Sequence, residues 1–477
     1  MKLYNFLYQA INIVFSFFIL RFISTKLAIA LMKRVGFDLR FCWDHERLYF
    51  LNKKVPFKAG FIRLYYLLTP VGYGLSWGCA MESAYRIINI SKTSCLSSKL
   101  LERYLDKERR FILNNLEVHS NNNHIFFNII GILIANKLIS NVDDELEWKL
   151  AFINECQAQF NEDGTNFEAS TNYHLVMLEA ICHLISVRPE YLSIVLGNVN
   201  INGAISFIDN IENEYGISLV GDNDDGMCIK SSRDERVNRK AQVTFIKETF
   251  NNSANKVLQR RNYFNDFGVF FYNKGEVKLS LWNPKNGQSG KCGHNHNDNH
   301  SIQFALEGKE FIVDPGVFYY NLKRDYFRDE QNHSTINSSC AGFNKFKGNF
   351  SREAKSITEL HYSEKTVKTT LQMDPLFSER TIEIEGNSFI IKDKVQSKST
   401  ITSSLIISEF VTVSKFKNGL LLSRGDCSKK LYLTAELNTN IKIVKVFISP
   451  SYSYIRASNK ILLTSTTNQL TWKITTL

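Results

Sequence analysis

The chain runs to 477 residues, 44% hydrophobic and 22% charged, which is too long for one ordinary core and is the balance of a soluble globular protein of two or three domains. Its formal charge of +11 comes from 58 Lys+Arg against 47 Asp+Glu, an excess that suits an acidic polymer as partner or a plain solvated surface. No Lys/Arg run interleaves with aromatics and no zinc-finger spacing occurs, so nucleic acid is excluded as the expected partner, and nine scattered cysteines, never in C-x-x-C, exclude a disulfide framework and a thiolate zinc site.

Residues 1–40 read as an apolar, amphipathic N-terminal segment. Asn5, Gln9, Asn12 and Ser16 fall at spacings of one helical stripe. Such a stripe predicts a helix packed on its own domain or lying on a membrane surface, and not a continuous span of ~20 apolar residues. No small-x-small cleavage site follows cleanly.

Residues 41–255 read as helices. "GLSWGCAMESAYRIINI", "SSKLLERYLDKERRFILNNL", "NHIFFNIIGILIANKLI" and "STNYHLVMLEAICHLI" all carry helical patterning, the third apolar nearly all round and so buried. Ser170 is the expected N-cap of the last. "DDELEWKLAFINECQAQF" places Leu146, Leu150, Ile153, Cys156 and Phe160 on one predicted face. From about residue 265 the period drops to two. "GVFFYNKGEVKLSLW", "SIQFALEGKEFIVDPG", "RTIEIEGNSFIIKDKV" and "KILLTSTTNQLTWKI" predict strands joined by Asn-Lys-Gly, Glu-Gly-Lys, Glu-Gly-Asn and Thr-Thr-Asn turns. The fold class is therefore α+β multidomain: an all-α domain over 41–255, then an antiparallel β-sandwich over 256–477.

The candidate chemistry centres on "GKCGHNHNDNHS", residues 290–301, which holds three of the chain's 10 histidines. His294-x-His296-x-Asp298 would share one face of an extended strand. Asp314, in "FIVDPGVFYY", and His333, in "RDEQNHSTI", follow. Two histidines and a carboxylate leave a fourth position open on tetrahedral zinc; the plain alternative is hydrogen bonding in loops. Asn123-His124 opens the buried helix, where a capping pair is the plain alternative. Tyr173 stands three residues after Ser170, at the positive end of a helix, where a tyrosine ionises more easily than in water; a core aromatic is the alternative. "GDNDDG", residues 221–226, fails the spacing of a calcium loop and reads as a turn. There is no Walker loop, no G-x-G-x-x-G and no G-x-S-x-G.

Taken together, Asn123-His124, "DGTNFEASTNYH", "GHNHNDNHSIQFALEGKEFIVDPGVFYY" and "FRDEQNHSTI" resemble the heparinase II/III-like polysaccharide lyases, which include alginate and oligoalginate lyases. The stretch "GLSWGCAMESAYRIINI" is similar to relatives encoded with surface-polysaccharide genes. The resemblance implies an α/α toroid ahead of the β-sandwich and a lyase that cleaves a uronic-acid polysaccharide by β-elimination. It implies His296, Asp314 and His333 as ligands of one Zn2+. It implies Asn123 and His124 as the groups that bind the uronate carboxylate, Tyr173 as the acid and often the base, and His294 as the partner base or charge stabiliser. Tyr319 or Tyr320 would line the sugar site. His333 is followed by Ser334-Thr335 where relatives often have Asn-Thr. The expected compartment is the bacterial cell envelope, with the cytoplasm open because no clear secretion signal precedes the domains. Three other readings stay open: a zinc-dependent glycan hydrolase, an iron oxygenase with a two-His-one-carboxylate site, and a non-catalytic assembly role in surface-polysaccharide biosynthesis.

Overall fold

The structure is a computed structural model that describes residues 20–34, 47–52, 57–118, 122–140, 142–224, 226–232, 234–251, 261–320, 324–338, 346–348, 350–352, 356–373, 376–396 and 400–477. The polar stripe Asn5, Gln9, Asn12 and Ser16 lies outside the described residues. The chain forms two compact units. One comprises Met1–Gln159, Leu175–Val199 and Gly226–Asn255; the other comprises Phe160–His174, Asn200–Asp225 and Lys256–Leu477.

The first unit is helical, and its centre is built from the segments with the most continuous apolar sequence. Ala80–Ser91 is buried from Ala80 to Ile90, and Asn123–Leu138 is buried over Ile125–Ala135. A side chain at Gly131 would meet the Cβ of Ala84 at 2.9 Å, so glycine is what lets these two helices approach closely. Charges taken into this core are paired: Arg47 with Glu82 at 2.6 Å and Arg86 with Glu108 at 2.8 Å, the condition under which burying them is tolerable. The helix Glu145–Gln159 turns inward only part of the predicted face, Cys156 with the buried Phe160 that follows it. Trp148, Phe152, Cys156 and Gln159 are buried, Leu146 and Leu150 are 68% and 53% exposed, and Phe160 lies past the helix end. Aromatic packing decides the matter: Phe152 meets Phe126 and Tyr191, each at 5.6 Å between ring centres, and a large ring buries more apolar area than a leucine.

Among its described residues the second unit holds three larger antiparallel sheets. The eight-stranded one runs Val411–Phe416, Gly419–Arg424, Leu431–Ala435, Gln469–Thr476, Ser388–Val395, Leu376–Glu385, Thr366–Met373, Ile357–Tyr362. A four-stranded sheet runs Asn440–Ser451, Tyr454–Ser465, Ile401–Ile406, Ile336–Ser338, and a five-stranded sheet runs in chain order from Tyr263–Phe264 to Lys309–Ile312. Alternating residues of these strands, such as Val367, Ile382, Ile391, Leu463 and Trp472, share one buried core, as a period of two requires. The predicted Asn-Lys-Gly, Glu-Gly-Lys and Glu-Gly-Asn turns each join neighbouring strands. The Thr-Thr-Asn turn instead carries the chain from the four-stranded sheet to the eight-stranded one. Within the core, Arg380 pairs with Asp393 at 2.6 Å, and Trp472 Nε1 donates to the same carboxylate at 2.9 Å.

Candidate active site

The helix Thr171–Val187 begins where the sequence predicts, because Ser170 closes its first turn. Ser170 Oγ accepts from the Tyr173 backbone N–H at 3.3 Å and donates to the Asp222 carbonyl at 2.8 Å. The cap thereby ties the helix start to residues 220–224. Tyr173 is buried, and its hydroxyl donates to Asp224 Oδ2 at 2.6 Å. The same oxygen accepts from the Tyr320 hydroxyl at 3.0 Å, and the two phenol oxygens are 3.2 Å apart. Asn172 Nδ2 donates to the other Asp224 oxygen at 2.8 Å. The Tyr173 ring stacks on the His294 imidazole, 3.9 Å between centres.

Asp222 orders the other side. Its Oδ2 lies 2.8 Å from His294 Nδ1 and 2.5 Å from Arg324 Nη2, and its Oδ1 lies 3.1 Å from His296 Nε2. Burial opposes the charge on Asp222, but Arg324, His294 and His296 outweigh it and hold the carboxyl well below its ordinary range. Glu168 Oε2 stands 3.6 Å from His294 Nε2, so this imidazole faces a carboxylate at each nitrogen. The Arg324 guanidinium covers the rings of Tyr320 at 4.6 Å and Phe350 at 4.5 Å. Gly221 makes the arrangement possible: at φ +69°, a Cβ there would strike the His294 carbonyl at 2.7 Å.

Behind His294, the ligand atoms of His296, Asp314 and His333 all lie within 4.8 Å of one another. His333 Nε2 is 2.9 Å from the Phe327 carbonyl, so its N–H is spent there, and Nδ1 faces Asp314 Oδ2 at 3.0 Å. With Nε2 of His296 on Asp222, its Nδ1 is buried with no hydrogen-bond partner among the described residues, and so are both carboxylate oxygens of Asp298. Orphaned buried polar atoms are rare in folded proteins. Here they surround a donor set that a divalent cation satisfies, and two imidazoles with carboxylate are ligands zinc takes. Burial lowers the His296 pKa and so keeps it a neutral ligand; burial likewise lowers that of His333, but Asp314 outweighs it, so a cation would displace a proton. Burial also raises Asp298.

In the helical unit, Asn122 rather than Asn123 is the cap of Asn123–Leu138, accepting from the His124 N–H at 3.0 Å. Asn123 is buried in the first turn. His124 Nδ1 is 2.8 Å from Glu117 Oε1 and 3.6 Å from Cys79 Sγ, with 35% of the side chain exposed. Burial opposes its charge, yet Cys79 and Glu117 together hold it well above the ordinary imidazole range.

Several expectations are corrected by this geometry. Residues 293–300 are irregular, and the strand begins only at Ser301, so His294 and His296 do not share a strand face; they converge because each ring reaches a different oxygen of Asp222. The segment 221–224 is not a mere turn, since Asp222 and Asp224 are fully buried partners of the site. Of the two tyrosines left open, Tyr320 joins Tyr173, whereas Tyr319 is buried against Tyr452. His300 is a core residue bonded to Thr369 and Ser378, its pKa pushed down to about 3 by burial and Arg380. Asp222, Asp224, Glu168 and Arg324 were missed, while Asp298, marked in the sequence beside His294 and His296, is buried next to the metal set. The density of acids after Gly221 was the one signal that pointed to the first two.

A family model for the heparinase II/III N-terminus matches residues 85–192, and one for the heparinase II/III-like C-terminal region matches residues 256–475. The chain belongs to the heparinase II/III-like family. Heparinase II/III-like enzymes are polysaccharide lyases, a class of carbon–oxygen lyases. Among solved structures, this heparinase II/III-like chain is similar to heparinase III with a TM-score of 0.64 and 17% identity, over 84% of this chain and 69% of that one. It is similar to the heparinase III-BT4657 gene product at 0.62 and 16%, over 84% and 68%. Heparan sulfate lyase HepC from Pedobacter heparinus gives 0.57 and 15%, over 84% and 68%. The shared fold is an α/α toroid followed by a β-sandwich. No curated protein sequence matches the chain.

Proposed function

We propose that this protein cleaves a uronic-acid-containing polysaccharide by β-elimination. The observation that supports the reading is the Tyr173–His294 stack, which sets a hydroxyl proton donor and an imidazole side by side within a cage of Asp222, Asp224 and Arg324. In the elimination a base takes the C5 proton, the C4–O bond breaks, a C4=C5 double bond forms, and an acid protonates the departing oxygen. Tyr173 is the proposed acid, and Tyr320, on the same Asp224 oxygen, is a second hydroxyl that can replace the proton given up. His294, held by Asp222, is the proposed partner base or charge stabiliser. The C5 proton is acidic enough only when the neighbouring carboxylate is neutralised; a protonated His124 with Asn123 is the proposed means. Zn2+ on His296, Asp314 and His333 would supply a fixed charge that anchors the 294–298 loop. The proposed setting is polysaccharide metabolism at the cell envelope.

Purified protein would be incubated with alginate, heparan sulfate and hyaluronan while the ultraviolet absorbance of the unsaturated uronate is followed. A rise is expected on at least one acidic polymer, and Tyr173→Phe is expected to lower kcat by about 10²–10⁴-fold. Hydrolysed sugars without a double bond, or no turnover by folded, metal-loaded protein, would defeat the lyase reading in favour of a hydrolase or an assembly role.

A further inference from the structure

The helix Lys58–Leu68 turns Ile62, Tyr65 and Tyr66 inward. Its other face is apolar as well. Phe57, Phe61, Leu64 and Leu68, at spacings of four, three and four, form one exposed stripe with Leu67 beside it; Phe57 is 84% and Leu67 76% exposed. The exposed surface continues through Val71 and Tyr73 and onto a second segment, because Ser24 bridges Tyr73 and Thr25 N donates to the Gly72 carbonyl at 2.8 Å. That segment adds Phe22 and Leu27, both exposed. A run of apolar side chains this extended is rare on a free surface.

The charges carried by these two segments all have one sign. Lys26, Lys33, Arg34 and Arg63 are exposed, and neither 20–34 nor 57–74 contains an acidic residue. This is the pattern of a surface that rests on an anionic bilayer: apolar and aromatic side chains entering the headgroup region, with Lys and Arg at the phosphates. A second copy of the chain is a poor occupant, since a two-fold contact sets each basic patch against itself. The apolar residues 1–19 lead directly into this segment in sequence. Among the described residues no single helix is long and apolar enough to cross a membrane.

We propose that this face, centred on Phe57, Phe61, Leu64 and Leu67, docks the protein peripherally on an anionic lipid surface. The proposal is independent of the reaction catalysed. The full chain would be floated with vesicles of phosphatidylcholine alone and of phosphatidylcholine with an equal part of phosphatidylglycerol. Wild type is expected to rise with the anionic vesicles and to be released in part by high salt. Phe61→Asp with Leu64→Asp should lower the partition coefficient roughly a hundredfold, with a cooperative thermal melt and activity on soluble polymer retained, because the two side chains are 47% and 49% exposed. Arg63→Glu should weaken binding to anionic vesicles only. Wild type remaining in solution would overturn the proposal. So would a double variant that floats as well as wild type, which would move binding to residues 1–19, or a wild-type dimer that the double variant converts to monomer.

Discussion

Asp222 balances the charges on its side of the site: it is buried, bound to one arginine and two imidazoles, and held ionised by them. Asp222→Asn keeps the shape but removes the charge that Arg324 was buried against. Removing one partner of a buried ion pair costs about 3–5 kcal/mol, so a urea titration should show a loss of that size together with lost turnover. Unchanged stability would mean that Arg324 finds another partner. His124 makes a prediction of opposite sign. Its folded pKa lies above the ordinary 6.5, so its stabilisation is fully present below pH 6.5 and is lost as pH rises through the higher folded value. The stability difference between wild type and His124→Gln should therefore shrink as pH rises, and turnover should fall over the same range if the protonated ring binds carboxylate. The residues legible in the sequence were those whose types are unusual at close spacing: His294 and His296, then Asp314 and His333, and Tyr173 after its cap. Asp222, Asp224 and Arg324 were not legible, because nothing in "GDNDDG" or "LKRDYFRDE" says that a carboxylate and a guanidinium will meet beneath an imidazole.

Among the described residues periodicity separated the long helices from the main strands, but it did not rank one helical face against another. In Glu145–Gln159 both a leucine face and an aromatic face were present, and the aromatic one won. Phe152→Ala should therefore cost about 3–5 kcal/mol, while Leu146→Ala should stay within about 0.5 kcal/mol of wild type; thermal melts of the two variants would check this. A similar loss at both positions would mean that the exposed face is covered in solution. Strand partners were equally beyond reach. Ser388–Val395 pairs with Gln469–Thr476, and Ile336–Ser338 with Ile401–Ile406. Such long-range pairing is chosen by complementary faces, not by local pattern.

For the molecule as a whole, His296, Asp314 and His333 bring together segments that are separate in sequence, so a cation there should stabilise the fold by mass action. Chelation is expected to lower the melting temperature along with activity, and zinc should restore both. Activity lost at an unchanged melting temperature would give the ion a role other than holding the loop. The path of the chain has a consequence for its birth. Phe160–His174 and Asn200–Asp225 belong to the unit that Lys256–Leu477 completes. At translation rates of about 5–20 residues per second, these early segments wait on the order of ten seconds for the strands they will join. Tyr173, Asp222 and Asp224 thus leave the ribosome well before His294 and Arg324, and a message broken off near codon 255 yields no half-working enzyme.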